Sequence, residues 1–213
     1  MKRLLAIIIA AYSLVGSISA AETSDNVVYK DDHVRFTLIS PRSMRLEYSP
    51  DGKFIDGKTL LAVDRDYAPV ACKVRTGGQF VEIRTDLITV RYRKGSGAFS
   101  PENLSIQSSK ANPFGFIWRP EMTQKENLKG TRHAYDAVKG RTVMYGKDEG
   151  MNVDLEDGIL ARDGWTLIDD SKGPVFIKGD DCQGHPITKE WIERRPDNGS
   201  QDWYFLSYGH DYQ

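Results

Sequence analysis

Asp157, Arg162, Asp163 and Trp165 gather two carboxylates, a guanidinium and one large aromatic into a short stretch. Carboxylates and guanidinium groups hydrogen-bond hydroxyls, and an aromatic face covers the apolar side of a sugar ring. The mixture is therefore that of a substrate rim for a carbohydrate. The same residues have a second reading, as a surface hairpin whose tight turns call for Asp-Gly. Around them, Asp157-Gly158 and Asp163-Gly164 are turn signals, Ile159 to Arg162 predicts a short strand, and Trp165 to Ile168 predicts another closed by Asp169-Asp170-Ser171. His33, His133, His185 and His210 are scattered, with no metal-binding spacing, so no metal and no cofactor are expected. Cys72 and Cys182 read as two buried thiols; an exported chain could also pair them.

The elements that must carry this stretch are strands. Val34, Phe36 and Leu38 alternate with Arg35 and Thr37, and Met44, Leu46 and Tyr48 alternate with Arg45 and Glu47. Period two predicts one buried and one solvated face. Asp51-Gly52 marks a turn, and Gly77-Gly78 between Val70–Arg75 and Gln79–Arg84 predicts a hairpin. Leu87 to Arg93 puts Ile88, Val90 and Tyr92 on one face, while Arg84, Arg91 and Arg93 form a basic, solvated opposite face. Phe114, Phe116 and Trp118 fit a buried strand face or an aromatic platform for a glycan. Glu121 to Leu128 is the one segment that predicts a short helix after the N-terminal apolar run. Arg141 to Tyr145 and Met151 to Leu155 predict further strands, Pro174 to Ile177 and Trp191 to Arg194 edge strands, and Trp203 to Tyr208 a strand with Trp203, Phe205 and Ser207 on one side. Many short strands with regular turns and no alternating helices argue for an all-β, antiparallel two-sheet β-sandwich.

The run Asn127-Leu-Lys-Gly-Thr-Arg132, then Asp136, then Gly158-Ile-Leu-Ala-Arg-Asp-Gly-Trp-Thr-Leu-Ile-Asp-Asp-Ser171 resembles the N-terminal β-sandwich region of glycoside hydrolase family 31, the α-glucosidase and α-xylosidase family. Val34 to Phe54 is similar to its opening strands, and Asp202 to Tyr212 to its junction with the catalytic barrel. The resemblance covers nearly the whole chain after about residue 27. It implies a galactose-mutarotase-like β-sandwich, packed on a C-terminal (β/α)₈ barrel, with one loop reaching the mouth of the active site. That loop falls in or near residues 150 to 165, which makes Asp157, Arg162, Asp163 and Trp165 the substrate-rim candidates. In the family both catalytic aspartates lie on the barrel. Such a barrel needs about 250 residues, more than this chain has, and no barrel signature is present, so no catalytic residue is assigned. Asn127, Arg132 and Asp136 are candidates for a hydrogen-bonded corner beside the rim. The expectation is an accessory domain, inactive alone, of an enzyme acting on α-linked oligosaccharides or polysaccharides. A stand-alone carbohydrate-binding module is the alternative, with Phe114, Phe116 and Trp118 as its aromatic row. A domain that docks a barrel should expose an apolar surface, for which Trp203, Phe205 and the strand ending at Tyr208 are candidates.

Lys2-Arg3, the apolar run Leu4 to Val15 and the small residues up to Ala21 read as a secretory signal peptide over residues 1–21, leaving 22–213 as one domain. Export, to periplasm or exterior, follows, with no integral membrane segment after cleavage. Removing Lys2 and Arg3 takes the formal charge from -1 to -3. There is no basic block along the sequence, which argues against nucleic acid as a partner.

Overall fold

The computed structural model describes residues 26–109, 115–130, 156–177 and 191–212. In chain order its strands are β1 (Val27–Lys30), β2 (Val34–Ser40), β3 (Ser43–Tyr48), β4 (Lys73–Arg75), β5 (Phe80–Arg84), β6 (Ile88–Arg93), β7 (Leu104–Ser108), β8 (Ile117–Trp118), β9 (Trp165–Asp169), β10 (Val175–Ile177), β11 (Trp191–Glu193) and β12 (Gln201–Ser207). One five-stranded sheet has the order β1-β2-β3-β12-β9 and the other β4-β5-β6-β7-β8, with β10-β11 as a small separate pair. Every pairing is antiparallel. The protein is an all-β, two-sheet sandwich.

The inner faces follow from the alternation in the sequence. Val34, Phe36 and Leu38 of β2, Met44 and Leu46 of β3 and Phe205 of β12 face Val81, Ile83, Ile88, Val90, Tyr92, Leu104 and Ile106 of the second sheet. Phe36 meets Tyr92 edge-on at 5.6 Å, and Trp118 lies 4.9 Å from Phe205 between ring centres. Burying each such side chain contributes roughly 1.5–3 kcal/mol. The Gly77-Gly78 hairpin forms as expected, with Val74 opposite Ile83. Ile88, Val90 and Tyr92 are buried while Arg84, Arg91 and Arg93 are exposed.

Several expectations change. The outward face of β2 and β3 is not solvated. Arg35, Arg45 and Glu47 are buried there, under loop segments that carry Ile55, Asp56, Asp170 and Arg195. Trp203 to Tyr208 does not offer an apolar docking surface: β12 runs between β3 and β9, Phe205 is fully buried, and Asp202 and Tyr204 on its other face are buried too. Residues 121–128 are not helical. Their backbone is held by long-range partners instead, with Leu128 N donating to Leu160 O and Asp163 accepting from Lys125 N and Glu126 N. Ile159 to Arg162 is not a strand but one isolated bridge, Ala161 to Asn127. The Asp51-Gly52 turn forms but opens a long loop to β4. β10 and β11 pair with each other and extend neither large sheet. Trp118 is in the core and Phe116 is packed against it, so these two make no exposed platform. Phe114, Arg132, Asp136, His133, His185, Cys182, the signal-peptide residues and the strands expected at 141–145 and 151–155 lie outside the described residues. Cys72 is half-buried against the core.

Candidate functional site

The candidate rim residues lie on a corner where 124–130 runs beside 156–165. Asn127 is its pin. Its Nδ2 donates to Gly158 O at 2.8 Å and to Gln124 Oε1 at 2.8 Å, and its Oδ1 accepts from Gly158 N at 2.9 Å and Lys129 N at 2.8 Å. All of the amide's main valences are used, so Asn127 builds the corner and presents little to a ligand. The close approach demands glycine at 158, where a Cβ would stand 2.8 Å from Lys129 O. Gly164 has φ +79°, and a Cβ there would meet Gly209 Cα at 2.9 Å. Both glycines are structural.

The C-terminal segment locks the corner to the sandwich. Tyr208 Oη accepts from Ala161 N at 2.6 Å and lies 3.1 Å from Trp165 O. Tyr208 N and Gly209 N both donate to Gly164 O. Gln124 Nε2 donates to Trp165 O at 2.6 Å. Tyr208 and His210 fall in the Asp202–Tyr212 run, but neither they nor Gln124 stood out as site residues in the sequence. The aromatic at the end of β12 was the one available signal, and its partners are too distant in sequence to be read from spacing.

Arg162, Asp163 and Trp165 come together as walls of an open cleft of about 370 Å³, with Lys125, Met122 and His210. Asp157 does not join them; it pairs with Lys129 Nζ at 2.5 Å, both side chains being well exposed. Asp163 spends one oxygen on the backbone of Lys125 and Glu126, at 2.8 and 3.1 Å. Arg162 projects into solvent, 3.8 Å from Glu126, and its carbonyl lies 3.1 Å from His210 Nε2. Trp165 is 4% exposed and lies parallel to Phe205 with ring centres 6.2 Å apart. It therefore packs in the core rather than offering a ring face. The cleft is lined by the charged side chains of Lys125, Arg162 and Asp163 beside the apolar Phe116, Ile117 and Met122, and its charged side can hydrogen-bond a hydroxylated ligand.

A second polar cluster was not marked as a site in the sequence, although Arg35, Arg45, Glu47, Asp170 and Asp202 fall within the runs that resemble family 31. Glu47 Oε2 accepts from Arg35 Nε at 2.6 Å, Arg45 Nε donates to Asp202 Oδ1 at 2.7 Å, and Arg195 bridges Asp202 at 2.7 Å and Asp170 at 3.1 Å. Arg35 also pairs with the exposed Asp56 at 2.6 Å. Burial pushes the Asp202 carboxyl up, but the hydrogen bond and charge of Arg45, helped by Arg195, outweigh it and hold Asp202 below the usual carboxylate range. Asp170, sharing Arg195 but lacking a bond to Arg45, is raised, chiefly by burial. The sequence did contain a signal: charged residues at outward positions of neighbouring strands, Arg35 opposite Glu47 on one side and Asp202 opposite Glu47 on the other, with Arg45 two residues before Glu47 to counter both carboxylates. The network borders a cleft of about 230 Å³ walled by Phe54, Ile55, Arg195 and Asp202.

Among known proteins, no family model matches the chain and no curated protein matches it.

Proposed function

We propose that this chain is the non-catalytic N-terminal domain of an exported family 31 α-glycosidase, a galactose-mutarotase-like sandwich. It shapes the substrate pocket of a C-terminal (β/α)₈ barrel acting on α-linked oligosaccharides or polysaccharides. The observation that carries the reading is the corner itself. The two runs that resemble the family lie about thirty residues apart in sequence, and Asn127 of the first is bonded to Gly158 of the second through both its amide groups. Motif residues that pin one loop to another are what a rim held at a fixed height above a barrel requires. Arg162 and Asp163 stand beside that pin on the cleft.

Exposed apolar side chains support the same reading. Ile117 and Met122 border the cleft, and Leu128 and Ile159 flank the Asn127–Gly158 contact, all at least 42% exposed. This apolar surface, rather than β12, is the face proposed to meet the barrel. The stand-alone binding module is not carried forward, because Trp118 of its aromatic row lies in the core.

Sequencing the genomic DNA beyond the codon for Gln213 tests the proposal. The expected outcome is a frame that continues into a (β/α)₈ barrel carrying two facing aspartates, as retaining glycosidases need. A stop codon with no barrel-coding sequence downstream would overturn it.

A further inference from the structure

The outward face of the second sheet carries a concentration of positive charge that the fold does not need. Lys73 and Arg75 of β4, Arg84 of β5, and Arg91 and Arg93 of β6 all point outward and are exposed. Strand register sets them in rows across the sheet. Lys73 stands opposite Arg84, which is followed by Thr89 and Gln107. Arg75 stands opposite Glu82, which is followed by Arg91 and Ser105. Neighbours within a row are about 4.8 Å apart and successive rows on one strand face about 6.8 Å. Among the described residues Glu82 is the one carboxylate in these rows, and it pairs with Arg84 at 3.1 Å. The whole chain has a formal charge of -1, so this charge is local to one face.

Stability does not account for the arrangement. Cations on β4 can guard an exposed sheet edge against pairing with other chains. Arg84, Arg91 and Arg93, however, lie on β5 and β6, which are interior to the sheet. Lys73 directly opposite Arg84 is a like-charged cross-strand pair, which weakens a sheet.

We infer that this face docks a linear acidic polysaccharide laid across the strands. Its acid groups would meet the cations, and its hydroxyls Thr89, Ser105 and Gln107, which continue the same rows toward β7. The surface argues against nucleic acid. Among the described residues the one aromatic on it is Phe80, and the Arg91 guanidinium stands over its ring at 4.0 Å from the centre, where a base would have to stack. A flat sheet face also has no helix or ribbon to enter a major groove. The inference concerns the second sheet's outer face and does not rest on the glycosidase reading.

The test is affinity electrophoresis of the full chain through gels containing polygalacturonate, neutral amylose or duplex DNA. Polygalacturonate should retard the protein at about 50 mM salt, with affinity falling on the order of tenfold or more by about 200 mM, as for other multi-cation contacts with a polyanion. Changing Lys73, Arg75, Arg91 and Arg93 to Gln together should reduce retardation on the order of tenfold at low salt. These side chains are exposed, and circular dichroism confirms that the variant keeps its fold. Changing Lys53 and Lys172, exposed on other segments, to Gln should leave retardation unchanged. No retardation by polygalacturonate, equal retardation of the four-site variant, or stronger retention by DNA at equal charge density would each overturn the inference.

Discussion

At the scale of single residues, the corner depends on one amide. Asn127 satisfies the N–H and the C=O of Gly158 at once. Changing Asn127→Ala leaves both without that partner, at a cost of roughly 1–3 kcal/mol for a poorly solvated polar group. The expected outcome is faster hydrogen exchange at the Gly158 amide, with exchange in β5 and β6 unchanged, measured by NMR. Uniform acceleration across both sheets would instead mean that the corner holds the whole fold. The sequence points to Asn127 for a hydrogen-bonded corner with Arg132 and Asp136, which lie outside the described residues, and the corner it is seen to build is with Gly158. That partner was not legible, since nothing in local spacing says that Gly158 returns to it. The rim residues were legible as types but not as a group. Arg162 and Asp163 sit at a turn and reach the cleft, whereas the turn expected at Asp157 does not form and Asp157 stays outside the cleft. Trp165 begins a strand whose inner face is core, so its ring packs on Phe205.

Elements follow the same division between local and distant information. The β4–β5 hairpin was readable because Gly77-Gly78 lies between its own strands. The position of β12 was not, because it pairs with β3, more than 150 residues earlier, at separations such as Asp202 to Glu47. The helix expected at 121–128 rested on weak local preference, and the backbone bonds to Asp163 and Leu160 override it. Gly164 joins β9 to the end of β12, since its carbonyl accepts from both Tyr208 and Gly209. Gly164→Ala forces a side chain into left-handed backbone, costing about 1–2 kcal/mol, and drives a Cβ against Gly209 Cα. Thermal denaturation should show a lower midpoint, and the amides of Tyr208 and Gly209 should exchange faster than in the unchanged protein. An unaltered midpoint would show that the β9–β12 junction relaxes without loss.

For the whole molecule, the fold class was readable from period-two alternation, but the second layer over β2, β3 and β12 was not. Alternation marks a charged position as solvated, whereas Arg45 and Glu47 are 2% and 3% exposed and paired beneath a loop cover. Such buried pairs add little net stability when complete and cost about 3–5 kcal/mol when one partner is removed. They also give the fold a defined response to pH. Asp202 is held low, so the unfolded chain binds more protons than the folded one between that lowered pKa and the ordinary value. Its stabilisation is full above the ordinary aspartate pKa of about 3.9 and is lost as pH falls through the lowered one. Asp170 is raised, chiefly by burial, so its sign is reversed. Its contribution is full below the ordinary pKa and declines as pH rises through the raised one. Two carboxylates on one Arg195 thus oppose each other on either side of that value. Urea midpoints across the acid range should rise with pH through the Asp202 window and fall through the Asp170 window. In Asp170→Asn the fall should shrink to the part contributed by Glu47, which burial also raises, while the rise persists, because Asp202 keeps its bonds to Arg45 and Arg195. A fall of unchanged size in Asp170→Asn would place the opposing proton on another carboxyl of the network, with Glu47, the other buried acid bonded to Arg45, the next to replace.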